Sequence, residues 1–323
     1  MKLFIKKILA FTLLIIIIHF ILGFLADGTT DDFYLRFTSS KQKSLIIGAS
    51  RAAQGIQPQL IDSILDLTGA DKIYNFSFTG KNSPYGKVYY NAIQTKLNTS
   101  NTNGIFIVTV DPWSVSVNTT VKNNNELDFD SDLYRTNSYN SSPNYNYLIK
   151  NYKNGWGSIL LNKIVKNILL RNKNKLSNIS GSWTYLHDNG WLEVFTSMDS
   201  IYVQKNTKTK VEYYEQLIKN YQFSAYRFEY LSKTIQLLQN YGTVYLVRLP
   251  AHKSFIKIED AIAADFDLRI EELSIKNNIK YINLIGESNN YQYTDGSHLY
   301  KSSAAAVTIY IGKLINSYQQ ENK

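Results

Sequence analysis

The chain has 323 residues, of which 44% are hydrophobic, enough for one large domain or a domain with a sizeable insertion. It contains no cysteine, which excludes disulfide bonds, thiolate catalysis and cysteine-ligated metal sites. The net charge of +9 is spread through Asn- and Tyr-rich sequence without a long Lys/Arg block or a nucleic-acid-binding motif. We therefore expect no nucleic-acid partner. Attraction to anionic envelope polymers would explain the positive charge as well as nucleic-acid binding would.

The N-terminal segment is typical of a membrane anchor. Lys2, Lys6 and Lys7 precede an apolar run over 8–25 that contains one His and no full charge, and acidic residues follow it. Such a run reaches the length of a membrane-spanning helix, and its flanking charges predict a cytoplasmic N-terminus with the remainder outside. A cleaved signal peptide is the alternative. Because the small-x-small cleavage pattern is poorly met, we predict a retained single-pass signal anchor over 1–26.

After a polar stalk over 27–42, strand and helix patterns alternate within one predicted domain, 43–323, and this alternation is typical of a parallel sheet. Strands are predicted at 45–47, 72–77, 104–110, 243–249 and 280–284. Helices are predicted at 58–65, 85–97, 211–241 with a break near 223, 259–277 and 302–318.

The alternation lapses between about 114 and 207, where we predict an insertion with a helix at 159–170 and a hairpin at 183–194. Its many aromatic residues favour an ordered segment over the carboxyl edge of the sheet, where it could shape a substrate cleft. Stacked aromatic side chains suit sugar rings, and core packing is their alternative use. These residues are Tyr134, Tyr139, Tyr145, Tyr147, Trp156, Trp183, Trp191 and Phe195.

Two short motifs carry the chemistry. The first strand is followed by Gly48-Ala49-Ser50-Arg51, which places Ser50 at the carboxyl end of a strand, where open α/β sheets hold their reactive groups. Near the end of the chain, Asp295 and His298 stand three residues apart in one loop. A serine hydroxyl becomes a nucleophile when a histidine takes its proton and a carboxylate orients that histidine. The motifs together predict a serine hydrolase or acyltransferase.

Three segments of the chain, the two motifs and the segment 75–80, resemble sequence blocks of the SGNH (GDSL-like) hydrolases. Gly48-Ala49-Ser50 resembles the first block, with Ala49 in place of the usual acid, and Asp295-Gly296-Ser297-His298 matches the last. The segment 75–80 resembles the second block, whose glycine, here Gly80, supplies a backbone N–H to the oxyanion hole. The resemblance implies an α/β three-layer sandwich with a parallel, flavodoxin-like sheet, and the triad Ser50, His298 and Asp295.

The third block departs from the family pattern. Its usual Asn donates to the oxyanion, but here the strand ends at Asp111, and an ionised carboxylate cannot donate. Loss of one oxyanion donor costs about 10²–10³ in rate in a well-studied case. Asn82 and Arg248 are candidate replacement donors. Alternatively, Asp111 only caps the turn before Pro112.

Two arginines, together with Asp111, are candidate substrate-binding residues. Arg248 ends a strand and could bind a carboxylate or phosphate in the cleft, or form a structural salt bridge with Asp111 or Glu259. Arg51 follows Ser50 directly and could anchor the turn or bind an acidic substrate. No spacing of histidines and carboxylates predicts a metal site, and no cofactor is expected.

By its resemblance to membrane-anchored proteins of exopolysaccharide O-acetylation and teichoic-acid D-alanylation, the chain is expected to transfer an acyl group, most simply acetyl, to a surface polysaccharide or to remove it. A membrane acyl-donor protein is an expected partner of a transferase. A catalytically idle SGNH-like domain that binds glycan or scaffolds an assembly complex is the alternative. A soluble secreted lipase or thioesterase fits poorly with a retained anchor.

Overall fold

The structure, a computed structural model, describes residues 1–26, 30–79, 84–121, 144–150, 152, 155–171 and 182–321. The chain divides into two compact units. The smaller unit is formed by 1–40 together with 138–176, and the larger by 41–137 together with 177–323.

The larger unit is built on a five-stranded sheet in which every neighbouring pair of strands is parallel. Its strands are β1 (Ser44–Ile47), β2 (Ile73–Asn75), β3 (Gly104–Thr109), β8 (Gly242–Arg248) and β9 (Lys280–Asn283), in the spatial order β2-β1-β3-β8-β9. All residues of β1, β2 and β3 are buried, as expected for parallel strands covered on both faces. The predicted parallel sheet is therefore confirmed, strand by strand.

Helices cover both faces of this sheet. They are α3 (Ser50–Gly55), α4 (Pro58–Ile64), α5 (Lys87–Lys96), α9 (Ala225–Gln239), α10 (Lys253–Ile262), α11 (Phe266–Lys276) and α12 (Lys301–Glu321). Ile46 and Ile107 point to one face, where they share a core cluster with α3, α4 and α12. Since side chains alternate along a strand, their neighbours point to the other face, where α9 packs on β8 and α5 packs on α9. The molecule is a mixed α/β protein with a helix–sheet–helix arrangement.

Besides four short 3₁₀ helices, the described residues of the larger unit contain four further strands and one further α-helix. They are β4 (Ser116–Asn118), paired with β7 (Tyr221–Phe223), the hairpin of β5 (Ser182–Leu186) and β6 (Leu192–Thr196), and α8 (Ser200–Leu217). The break predicted near 223 in the helix over 211–241 is confirmed: the segment is divided between α8 and α9, because β7 pairs with β4 between them. The helix predicted over 259–277 is likewise divided between α10 and α11. The hairpin predicted near 183–194 is present.

The smaller unit contains α1 (Lys2–Leu25), α2 (Asp32–Thr38), α6 (Tyr145–Lys150) and α7 (Trp156–Arg171). The first of these helices is long and apolar enough to cross a membrane. Part of the predicted stalk is the helix α2, whose Tyr34 is buried and accepts a hydrogen bond from the Asn144 backbone N–H at 2.9 Å. Tyr147 donates its hydroxyl to Asp31 Oδ2 at 3.0 Å. Part of the predicted insertion thus packs with the N-terminal segment.

Candidate active site

Ser50 is the first residue of α3, directly after the turn that ends β1. Gly48 has a φ of +154°, and a Cβ there would stand 1.8 Å from Thr109 Oγ1. The Gly48 N–H donates to the Tyr89 hydroxyl at 3.0 Å, and that hydroxyl donates to the Phe76 carbonyl at 2.7 Å. Only glycine allows so close an approach of β1 and β3, and the resulting turn presents Ser50 at the carboxyl edge of the sheet.

A second tight turn holds Asp295 and His298. Gly296 has a φ of +81°, and Asp295 Oδ1 accepts the backbone N–H groups of Ser297 at 3.0 Å and His298 at 2.9 Å. The Gly296 carbonyl accepts the His252 N–H at 3.0 Å, which ties the loop to the start of α10. The short aspartate side chain therefore fixes the loop's backbone as well as facing the imidazole.

The structure brings the three predicted triad residues together. Ser50 Oγ lies 2.8 Å from His298 Nε2, and His298 Nδ1 lies 2.9 Å from Asp295 Oδ2. A carboxylate beside Nδ1 favours the tautomer with the proton on Nδ1, which leaves the Nε2 lone pair facing the serine hydroxyl. This arrangement is able to remove a proton from Ser50.

A lysine that the sequence analysis did not single out completes the cluster. Lys210 of α8 donates from Nζ to Asp295 Oδ2 at 2.6 Å, and the same nitrogen lies 3.0 Å from His298 Nδ1. Its only sequence signal is a position in a Lys-rich helix, 85 residues before Asp295. The contact with the triad depends on how α8 packs.

Burial and the neighbouring charges together set the pKa values of His298 and Asp295. Burial lowers the pKa of His298, the Lys210 ammonium lowers it further, and the Asp295 carboxylate only partly offsets this, so the pKa stays below its ordinary value. Burial raises the pKa of Asp295, but the charges and hydrogen bonds of His298 and Lys210 outweigh it and hold that pKa well below the ordinary range. The site therefore holds an ionised Asp295 beside a His298 that favours its neutral form.

A buried ionic network lies beside the triad. Arg51 is 8% exposed, and its Nη2 lies 2.6 Å from Glu259 Oε1, while its Nε donates to Ser297 Oγ at 3.5 Å. Arg248 donates from Nη2 to Glu259 Oε2 at 3.2 Å and from Nη1 to Asp267. Arg248 thus makes the structural salt bridge with Glu259, and it is absent from the described residues that line the cleft. Arg51 lines the cleft while bound to the same glutamate.

Asp111, which the sequence resemblance compares with the third-block Asn, caps the next turn. Its Oδ1 accepts the Ser114 N–H at 2.8 Å, and Ser114 Oγ accepts the Asp111 N–H at 3.2 Å. Burial raises the pKa of Asp111 against the lowering effect of Arg51, and nearby Glu259 adds to the rise. The residue lines the cleft and also performs the turn-capping role that its sequence context predicts.

Two predicted oxyanion-hole residues, Gly80 and Asn82, lie outside the described residues. The second-block Asn75 is described and has a structural role. Its Nδ2 donates to the carbonyls of Ala52 at 2.9 Å and Ile56 at 3.0 Å, and its Oδ1 accepts the Ser77 N–H at 3.2 Å. Asn75 therefore joins the end of β2 to the helix that begins with Ser50.

The triad opens into a cleft of about 630 Å³. Its aromatic lining comes from residues other than those named from the sequence: Trp113, Tyr213, Tyr214 and Tyr221. Trp113 contacts Tyr214 and Tyr221 edge-on, with ring centroids 4.8 and 5.6 Å apart. Of the residues named from the sequence, Tyr134 and Tyr139 lie outside the described residues, Tyr145, Tyr147 and Trp156 belong to the smaller unit, and Trp183, Trp191 and Phe195 belong to the hairpin.

No family model matches the chain, and no curated protein matches it. Within the described parts of the chain, no group of three or more His, Asp or Glu residues could hold a metal ion.

Proposed function

We propose that the chain is an extracytoplasmic serine acyl esterase or O-acyltransferase with an SGNH-type fold, acting on a cell-surface polysaccharide. The observation that carries the proposal is the unbroken Ser50–His298–Asp295 relay, with contacts of 2.8 and 2.9 Å, at the carboxyl edge of a parallel sheet. The order of the motifs and their similarity to the SGNH blocks support the same class.

The proposed reaction has two halves. His298 Nε2 takes the proton of Ser50 as Oγ attacks the acyl carbonyl, and the backbone N–H of Ser50 receives the developing oxyanion, with the N–H of Gly80 as the second donor that the SGNH resemblance implies. His298 then returns the proton to the leaving alkoxide, which leaves an acyl ester on Ser50. Water or an acceptor hydroxyl attacks this ester, again with His298 as base, and releases a carboxylic acid or a new ester. Asp295 stays ionised throughout and orients the imidazole.

Three features favour a glycan carrying O-acyl groups, most simply acetyl, as substrate. The cleft is large enough for more than an acyl group, and its wall of Trp113, Tyr214 and Tyr221 offers apolar ring faces of the kind on which sugars stack. The net charge of +9 suits an anionic envelope polymer. Helix α1 would hold the larger unit at the outer surface of the membrane, where a membrane acyl-donor protein could supply a transferase.

A catalytically idle, glycan-binding domain is the second candidate, and two observations favour it. Asp111 stands where the family carries an oxyanion-donating Asn, and an anion there opposes the developing negative charge. Lys210 also places a positive charge 3.0 Å from His298 Nδ1, which opposes formation of the imidazolium. Both features lower the expected rate while leaving the relay in place.

The test is reaction of the full-length chain, in detergent, with a serine-directed fluorophosphonate, together with release of p-nitrophenol from p-nitrophenyl acetate. We expect labelling at Ser50 and hydrolysis in the wild type, with both lost in Ser50→Ala. Ser63→Ala, an exposed serine on α4, is the matched control and should react normally. An unlabelled wild type without hydrolysis above background would favour the idle domain instead.

The glycan assignment has its own test. Trp113→Ala is expected to raise KM for an O-acetylated oligosaccharide roughly tenfold, the value of one aromatic contact, with a smaller effect on p-nitrophenyl acetate. Trp183→Ala, in the hairpin, is the control because Trp183 is absent from the described residues lining the cleft. Equal loss on both substrates would argue against sugar stacking on Trp113. Acetyl transfer to an added glycan, in place of acetate release, would identify a transferase.

A further inference from the structure

Helix α7 presents an apolar face that the described residues leave uncovered. Trp156, Leu160, Leu161 and Ile164 are between 38% and 62% exposed. Their spacing places them on one side of the helix. Contiguous apolar patches on a protein surface mark sites of contact with another protein or a membrane.

The position of α7 within the smaller unit indicates what this face meets. The ring centroids of Trp156 and His19 are 5.0 Å apart, and Lys163 Nζ donates to the Leu25 carbonyl at 3.5 Å. Ile159, between them in sequence, is buried. The first two turns of α7 thus lie alongside the last two turns of α1, over about 9 Å of that helix.

Helix α6 reaches the same level of α1. The ring centroids of Tyr145 and Phe20 are 4.7 Å apart, and a Cβ added to Gly23 would stand 2.6 Å from Tyr145 Cε1. Helices α6 and α1 therefore approach each other closely at this level. Ile149, on the same helix, is exposed. Two elements of the segment 138–176 therefore pack against the part of α1 that precedes its C-terminal end.

We propose that α7 lies in the membrane leaflet that contains the C-terminal end of α1, with Leu160, Leu161 and Ile164 facing lipid. This inference rests on α1 spanning the membrane, which is part of the proposed function. Residues 8–25 cover about 27 Å of a hydrocarbon core of about 30 Å, so a helix packed on 19–25 is at lipid depth. Apolar side chains that point away from α1 at that depth meet acyl chains.

The absence of native cysteine makes the test direct. Full-length Leu161→Cys, labelled with an environment-sensitive fluorophore, would be reconstituted in phosphatidylcholine vesicles that contain lipids with a nitroxide on the acyl chain. Leu14→Cys on α1 is the membrane reference, and Lys208→Cys, an exposed position on α8, is the aqueous reference. Ile164→Cys on the same face repeats the measurement if Leu161→Cys does not reconstitute.

We expect fluorescence at position 161 to be lost to nearly the extent seen at position 14, and fluorescence at 208 to persist. Quenching at 14 without quenching at 161 or 164 would overturn the inference and leave the anchor intact. No quenching at 14 would remove the anchor, and the inference with it, while leaving the Ser50 labelling result unaffected. Disulfide-linked dimers through position 161 would instead assign the face to a second copy of the chain.

Discussion

At the scale of single residues, His298 is subject to two opposed charges. Asp295 Oδ2 lies 2.9 Å from its Nδ1 and favours the imidazolium, while Lys210 Nζ lies 3.0 Å from the same nitrogen and opposes it. Burial adds to the effect of Lys210, so the pKa of His298 lies below its ordinary value of about 6.5. Since His298 acts as a base only when neutral, activity should persist below the pH at which an unperturbed histidine is protonated.

Lys210→Met tests this balance, because it removes the positive charge and keeps much of the side chain's length. The pKa of His298 should rise, so the acid limb of the pH profile of kcat/KM should move to higher pH. Lys210→Arg retains a positive charge and should leave the limb closer to the wild-type position. Lys208→Met, on the same helix but exposed, is the control. An acid limb that stays in place in Lys210→Met would show that Lys210 does not affect His298.

The triad could be predicted at the residue scale, whereas Lys210 could not. Ser50 follows a recognisable strand and glycine turn, and Asp295 and His298 share one loop, so each motif is local in sequence. Lys210 reaches the triad only because α8 packs beside the 294–299 loop, and nothing in the sequence of a Lys-rich helix indicates which lysine faces inward. Arg51 could be named from its position beside Ser50, but its ion pair with Glu259 could not be predicted, because Glu259 lies on α10, far away in sequence.

At the scale of elements, the β1–α3 turn requires glycine at position 48. Gly48→Ala would place Cβ 1.8 Å from Thr109 Oγ1 at a φ of +154°, so β1 and β3 must separate or the turn must shift. A displacement of about 1 Å at a nucleophile can cost about 10² in rate, and we expect a loss of this order in p-nitrophenyl acetate hydrolysis. Gly286→Ala, where the added Cβ meets open space, should retain activity. Near-normal rates in Gly48→Ala would contradict the assigned rigidity of the turn.

The ionic network joins four elements through one fully buried side chain, Glu259 of α10. Its carboxylate forms ion pairs with Arg51 of α3 and Arg248 of β8, and Arg248 also forms an ion pair with Asp267 of α11. Glu259→Gln leaves two buried guanidinium groups short of an anion, and we expect a loss of about 3–5 kcal/mol in unfolding free energy. Glu229→Gln, which breaks an exposed pair with Lys233, should leave the unfolding free energy nearly unchanged, because solvent screens that pair. Similar small changes in both variants would exclude a structural role for the network.

Elements with strong local patterns were predictable, and those set by distant pairing were not. The strands at 45–47 and 104–110 are buried apolar runs, and their prediction is confirmed. The break near 223 in the helical pattern over 211–241 was predicted, but the strand Tyr221–Phe223 was not, because it forms by pairing with Ser116–Asn118, about a hundred residues earlier in sequence. Such a pairing is a tertiary effect that outweighs local helix propensity.

At the scale of the whole molecule, the two units are not contiguous in sequence. The segment 138–176 returns to the N-terminal region, where Tyr147 bonds to Asp31 and Tyr34 accepts from Asn144. The sequence predicts a stalk and an insertion as separate features, because hydropathy and alternation report local structure only. Their association depends on aromatic and hydroxyl contacts between segments about 110 residues apart.

Two units with separate cores should unfold in separate steps. Ile107→Ala removes a fully buried side chain from β3 and should destabilise the larger unit by about 2–5 kcal/mol. Tyr147→Phe removes the hydroxyl that donates to buried Asp31 and should destabilise the smaller unit by about 1–3 kcal/mol. Hydrogen exchange of the full-length chain in detergent, followed by peptide-level mass spectrometry, resolves the two effects, since each variant should increase exchange only within its own unit. Increased exchange across all peptides in both variants would mean that the chain unfolds as one cooperative body.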